Sequence, residues 1–289
     1  MTPDMADVTG YQEAKQALEV AATGGHPVLM IGVDGYSMHS LADRVATILP
    51  YQYGAYGTAP HTVTAHYTST PLGMFGGAGP TMEPGDVSKA SYGVLHLQDL
   101  PLFSPQVLEG LRQPVTDGYI QLFKGGKTAE YIARPLVVAT TAPCPKVHLD
   151  ADCDCSQATR IQWQRRMIMP CLKPIRIEVN EPGATSGGYT SQEIQHRVIA
   201  ARVHAGERGV GCNHLLTQDQ FDKLNLLGDR AAEVLDWHLR VGHVSARSML
   251  ELSRIALTVN DLSCSAGMGL ISSVCMNTAA RLIGLPPAP

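Results

Sequence analysis

The chain has 289 residues, 44% of them hydrophobic and 17% charged, which suits one large domain or two modest ones around a real core. Its formal charge is -4 and its pI about 6.2, so the basic excess of a general nucleic-acid grip is missing and DNA is an unsupported partner. No apolar run approaches the ~20 residues of a membrane span, and the polar, acidic start from Met1 to Asp7 does not read as a signal peptide, so a cytoplasmic protein is the expectation.

Along the chain, Ala14, Ala17, Leu18 and Ala21 fall at helical spacing in Gln12 to Thr23, and Gly24-Gly25 stops that helix. Val28 to Ile31 reads as a buried strand. The turn from Gly32 to Gly35 leads into a second helix, expected from about Ser40 to Leu49. Strand, loop and helix in this order open a P-loop unit. Residues 51–84 are rich in Gly, Pro, Thr and Tyr and predict loop with a short hairpin. Val94 to Leu97 is the next buried strand. Ser104 caps a helix with Pro105 at its first position, running to Leu111. Tyr119 to Phe123 and Thr128 to Ile132 flank Gly125-Gly126 as a hairpin, and Leu136 to Thr140 is a third buried strand. Buried strands alternating with helices predict an α/β three-layer core with a parallel sheet over residues 1–180. The stretch 181–189 reads as a linker. Residues 190–289 predict a helical lid, with capping boxes at Thr190/Glu193 and Thr217/Gln220 and helices at Asp229 to Val241, Ser245 to Asp261 and about Gly269 to Ile283. A basic run (Arg160, Arg165, Arg166, Lys173 and Arg176) reads as a solvated face.

Several segments are similar to the Mg-chelatase-like AAA+ ATPase family, which includes the Mg-chelatase I subunit and a bacterial competence-type branch-migration motor. DVTGYQEAKQALEVAA from Asp7 to Ala22, with Gly24-Gly25-His26, resembles the family's opening. Gly93-Val94-Leu95, Phe103-Ser104, Val107-Leu108-Glu109, Leu111 to Pro114 and Asp117-Gly118 resemble its Walker B strand, helix and hairpin. Ser245-Ala246-Arg247, heading a helix that ends Val259 to Leu262, resembles its sensor-2 helix. The larger bacterial members carry an N-terminal Lon-like domain without a counterpart in this sequence.

A working P-loop reads G-x-x-x-x-G-K-[ST], in which Lys neutralises phosphate oxygens and Ser/Thr binds Mg²⁺. The corresponding stretch is Gly32-Val33-Asp34-Gly35-Tyr36-Ser37-Met38-His39. Gly32 and Gly35 remain, but Ser37 stands for the second motif glycine, Met38 for the lysine and His39 for the hydroxyl residue. Asp34 adds a negative charge beside the loop. By the resemblance, Gln98-Asp99 occupies the Walker B acidic pair and Ala142 the sensor-1 asparagine. The arginine finger aligns loosely near Lys173-Pro174. Arg247 is retained as sensor 2, and Arg112 is retained with a structural ion pair as its alternative use. Losing such groups removes charge stabilisation worth orders of magnitude in rate. ATP or ADP binding is therefore doubtful, and the expectation is a degenerate, non-hydrolysing AAA+ scaffold or regulator. It would assemble as a homo-oligomer, or as a hetero-oligomer with an active AAA+ paralogue. The alternative is a weakly active ATP-binding motor on DNA or in metal chelation, in which Lys15, Lys124 or Lys127 would have to reach the phosphates.

The chain has seven cysteines, an odd number, which in a reducing compartment read as thiols or metal ligands. Cys144, His148, Cys153 and Cys155 lie within twelve residues, and three thiolates with one imidazole form an ordinary zinc set. The family has a comparable cluster, in which Lys146 here replaces a second Cys. Reduced thiols in a loop crowded by Asp150, Asp152 and Asp154 are the alternative. Cys171, Cys212, Cys264 and Cys275 show no ligand spacing and read as packing residues.

Overall fold

The computed structural model describes residues 3–51, 59–77, 83–124, 126–148, 153–168, 175–179, 188–263 and 269–288, with the backbone alone at Lys124, Ala246 and Arg247. The elements in chain order are α1 (Gln12–Gly24), β1 (Val28–Ile31), α2 (Gly35–Ile48), β2 (Thr62–Ala65), α3 (Pro71–Phe75), α4 (Asp86–Lys89), β3 (Val94–Leu97), α5 (Pro105–Gly110), α6 (Arg112–Asp117), β4 (Tyr119–Lys124), β5 (Lys127–Ile132), β6 (Leu136–Thr141), α7 (Gln157–Arg166) and β7 (Ile175–Glu178). Helices α8 (Ser191–Glu207), α9 (Gln218–Leu224), α10 (Asp229–Arg240), α11 (Ala246–Ser263) and α12 (Ser273–Leu282) follow.

Five strands form one parallel sheet in the order β2-β3-β6-β1-β7, and β4-β5 is a separate antiparallel hairpin. The central strands are buried along their whole length because both faces are covered. Strand alternation sorts their side chains between two cores. Val28, Met30, Val94, Leu136, Val138 and Ile177 face α1, α2 and the C-terminal helices. Leu29, Ile31, Leu95, Leu97, Val137 and Ala139 face the layer built from α3 to α6 and the hairpin. Each such side chain contributes ~1.5–3 kcal/mol when fully buried, which holds the three layers together.

Three local expectations change. Within residues 51–84 an antiparallel bridge joins Gly76 to Pro84, and Thr62–Ala65 pairs in parallel with β3 as the sheet edge. Helix α2 begins at Gly35 rather than near Ser40, because Asp34 caps it. β7, whose short Ile-Arg-Ile-Glu alternation is not among the expected strands, pairs with β1 on the far edge. The loop after β1 needs its first glycine for packing. A Cβ on Gly32 would lie 2.2 Å from the Val179 carbonyl oxygen, whereas one on Gly35 would meet open space. Helix α7 buries none of its residues, as the solvated reading of the basic run requires, while Lys173 lies outside the described residues.

The C-terminal helices are locked onto the core. Arg197 of α8 makes a two-pronged ion pair with Glu19 of α1 at 2.6 and 3.0 Å. The Ser191 hydroxyl accepts from Met5 N–H at 2.8 Å and meets the Thr47 hydroxyl at 2.7 Å. Deeper, His26 Nε2 lies 2.8 Å from the Thr258 hydroxyl, and Asn213 Nδ2 donates to that hydroxyl at 3.0 Å and to Asp261 at 2.8 Å. Thr258 spends its only proton on the Arg254 carbonyl, so His26 donates from Nε2. Arg208 closes the network on Asp261 through two contacts, one of 3.1 Å, with side chains 1% and 3% exposed. Among the described residues no helix is long and apolar enough to cross a membrane.

Candidate functional site

The carboxyl ends of β1, β3 and β6 gather the loop 32–39, Gln98-Asp99 and Ala142, where α/β sheets place their ligands. The first turn of α2 is where a phosphate would dock, on N–H groups left without helical partners. Here those groups are already used. Ser37 N–H donates to Asp34 Oδ1 at 3.1 Å, and the Ser37 hydroxyl donates to Oδ2 at 2.5 Å. Gly35 N–H turns to the Val33 carbonyl at 3.2 Å, and Met38 N–H to the Asp34 carbonyl at 3.2 Å. The Tyr11 hydroxyl adds a bond to Asp34 Oδ2 at 3.2 Å. Hydrogen bonds from the Ser37 hydroxyl and amide, and from Tyr11, hold the Asp34 carboxyl below its usual range, so it is ionised at neutral pH. An aspartate of the chain itself thus sits where an anion would be received.

The neighbouring positions turn inward. Met38 is 3% exposed, part of the core under the sheet rather than the loop. The Gln98 amide nitrogen lies 2.8 Å from His39 Nδ1, which joins the two Mg²⁺-holding positions of a P-loop site directly. Beneath them His96 Nε2 contacts the Thr140 hydroxyl at 3.1 Å, with its ring edge-on to His39 at 5.3 Å. Burial, followed by the nearby His39, pushes His96 down to about 4, so it is neutral. Asp99 adopts a left-handed backbone at φ 57, and its side chain does not cap the short 3-10 turn that follows. Ala142 offers only its carbonyl, which accepts from Trp163 Nε1 at 2.9 Å and so anchors α7. Arg112 pairs with Glu109 at 2.8 Å on the surface. Lys15 is buried and donates to the Val8 carbonyl, and Lys127 lies on the hairpin. Arg247 sits in the first turn of α11, but its side chain, like that of Lys124, lies outside the described atoms, and Lys173-Pro174 lies outside the described residues. Tyr11, His96, Thr140 and Trp163 belong to this site but carry no motif that sequence reasoning could single out.

On the loop after β6, ligand atoms of Cys144, His148, Cys153 and Cys155 all lie within 4.8 Å of one another. Sulfurs around tetrahedral zinc, at Zn–S ~2.3 Å, stand just under ~4 Å apart, so a small contraction completes the set. Two features fit an ion there. His148 turns its buried Nδ1 to Asp154 at 3.3 Å, the carboxylate–imidazole arrangement that orients a histidine for metal binding through its other nitrogen. Val147 holds φ 61, an outlying backbone for a β-branched residue, which turns His148 back toward Cys144. Burial pushes the Cys155 thiol up to about 11; for Cys144 burial is outweighed by hydrogen bonds from His148 and Lys146 N–H and from the other two cysteines, so its thiol titrates lower. Asp150, Asp152, Cys171 and Cys264 lie outside the described residues.

Family models match this chain nearly end to end. "Magnesium chelatase, subunit ChlI" covers residues 4–56 and 51–187, and "Magnesium chelatase, subunit ChlI C-terminal" covers 188–271. The chain belongs to the magnesium chelatase ChlI family. Among curated proteins it is 32% identical over 232 residues to the uncharacterized protein Rv2897c of Mycobacterium tuberculosis, covering 71% of this chain and 46% of that protein. Its identity to competence protein ComM of Haemophilus influenzae is 27% over 289 residues, covering 90% and 57%. With the uncharacterized protein YifB of Salmonella typhimurium it shares 28% over 289 residues, again 90% and 57%. The chain therefore spans about half the length of the curated relatives it matches. Within this ChlI-family frame the AAA+ fold implies a nucleotide-binding surface.

Proposed function

We propose that this chain is a non-hydrolysing AAA+ subunit, a scaffold or regulator that assembles with itself or beside an ATP-hydrolysing paralogue, with zinc in the Cys144, His148, Cys153 and Cys155 cluster as a structural staple. The supporting observation is the Asp34 carboxylate on the first turn of α2. A triphosphate would have to displace an ionised side chain from the Ser37 N–H and hydroxyl and then meet no lysine, since Met38 is buried. The His39–Gln98 contact supports the reading independently, because neither side chain supplies the charged oxygen that Mg²⁺ prefers.

Calorimetry with ATP and Mg²⁺, together with phosphate release, tests it. The expected result is no saturable binding below about 1 mM and no Mg²⁺-dependent turnover. Asp34→Ala with Ser37→Gly, Met38→Lys and His39→Thr should improve ATP binding before turnover, because Gln98 remains. Robust Mg²⁺-dependent hydrolysis by the unaltered chain, abolished by Asp99→Ala, would overturn the proposal. For the staple, elemental analysis should return one zinc per chain. Cys153→Ser should release it and cost at least about 2 kcal/mol of stability; an unchanged melting curve with no zinc in either protein would remove the staple.

A further inference from the structure

A cavity of about 180 Å³ opens at the end of the sheet opposite the nucleotide surface. It is lined by the residues that enter the strands: Pro27 before β1, Gly93 before β3 and Pro135 before β6. Four residues of strand at ~3.3 Å each separate it from the loop 32–39, so it is a different place on the molecule. The α8 residue Arg202, and Cys212 and His214 from the segment that follows α8, form its other wall. The cavity is thus a seam between the sheet and the C-terminal helices, a common setting for small-molecule sites.

Its polar groups share one sign. Arg134 and Arg202 line it, and no Asp or Glu does. Arg202 directs its guanidinium at the Ala22 and Thr23 carbonyls, each at 3.1 Å, and neither arginine forms an ion pair among the described residues. Glu251 lies 3.7 Å from His214 and is engaged by Arg254. Arg202 is half-buried and Arg134 exposed, so both bring positive charge to the cavity with no carboxylate on its wall. The rest of the wall is apolar, with Leu49, Pro114, Val115 and Leu215. Gly25 is held at φ 71 with the Cys212 sulfur 2.6 Å from where its Cβ would be, so the backbone itself shapes the floor.

We propose that this cavity binds a small amphiphilic anion, a carboxylate or phosphate headgroup on Arg134 and Arg202 with a compact apolar body against Val115 and Leu215. The space is below the ~300–1,000 Å³ of drug-sized sites, which suits a metabolite of one ring or a few carbons and excludes a nucleotide.

Benzoate, phenyl phosphate and neutral benzamide are the probes, titrated by calorimetry into the full chain. At least one anion should bind below about 1 mM, and benzamide about tenfold more weakly, as loss of a charge-assisted hydrogen bond requires. Which anion is tighter assigns the headgroup. Arg134→Gln, at an exposed position, should weaken the anion about tenfold without moving the melting temperature. Val115→Trp should block binding by filling the space. Bound anion should slow alkylation of Cys212 by N-ethylmaleimide, read by peptide mass spectrometry. Failure of both anions, equal binding of benzamide, Arg134→Gln binding like the unaltered chain, or binding that leaves Cys212 unprotected would each overturn the proposal.

Discussion

Arg208→Ala is expected to destabilise the fold by about 3–5 kcal/mol, the cost of stranding a buried carboxylate. Asp261 is 3% exposed in its side chain and relies on Arg208 for its countercharge, with Asn213 as a neutral donor. Removing Arg208 also frees the Asn213 carbonyl oxygen, which accepts from it at 2.9 Å. The double substitution Arg208→Met with Asp261→Leu should recover most of that loss, because two apolar groups of similar bulk leave no charge uncompensated. Chemical denaturation of the three proteins measures both effects. A loss below about 1 kcal/mol in the single variant would mean that water reaches Asp261.

Acid should loosen the same seam. His26 is fully buried, and burial, with smaller contributions from His214, Arg254 and Arg202, lowers its pKa to about 3; Glu251 opposes the shift. His96 lies near 4 for the reasons given above. The unfolded chain takes up protons at both positions as pH falls below about 6.5, while the folded chain does not until about 4 and 3. Stability is therefore complete above pH 6.5 and falls on acidification. Between pH 7.5 and 5 each histidine should cost about 2 kcal/mol, or about 4 together. His26→Gln keeps a donor for Thr258 and does not titrate, so it should reduce the pH 7.5-to-5 loss by about half. An unaltered pH dependence in that variant would show that His26 does not titrate as described.

Some of this architecture is legible in the sequence because its causes are local. Apolar runs at 28–31, 94–97 and 136–140 announce buried strands, and the Thr190/Glu193 and Thr217/Gln220 boxes sit where the spacing places them. Thr62–Ala65 escapes because its mixed burial carries no period, and Ile175–Glu178 because its apolar–charged alternation spans only four residues; β3 and β1 offer them the edges on which they pair. The departures from the P-loop pattern at residues 37–39 can be read off the sequence, but the contacts those residues make cannot. That Asp34 caps α2, rather than only repelling an anion, depends on the dihedrals of one turn. That His39 meets Gln98 depends on a contact between residues 59 apart in sequence. The arginine-lined cavity lies further still from any motif, since its wall is assembled from strand entrances and an interhelical segment.

The Asp34 carboxylate is tethered three residues from the Ser37 amide it engages. A tethered group acts at an effective concentration on the order of millimolar or higher, and it does not dissociate into solution. Dialysis cannot remove it, and a change in cellular energy charge cannot dilute it. On the reading proposed above, the subunit carries a permanent occupant and holds one conformation whatever the ratio of ATP to ADP, since no ligand distinguishes between alternative states. Placed in a ring of cycling neighbours, it would be the stationary member, a fixed reference against which the others move.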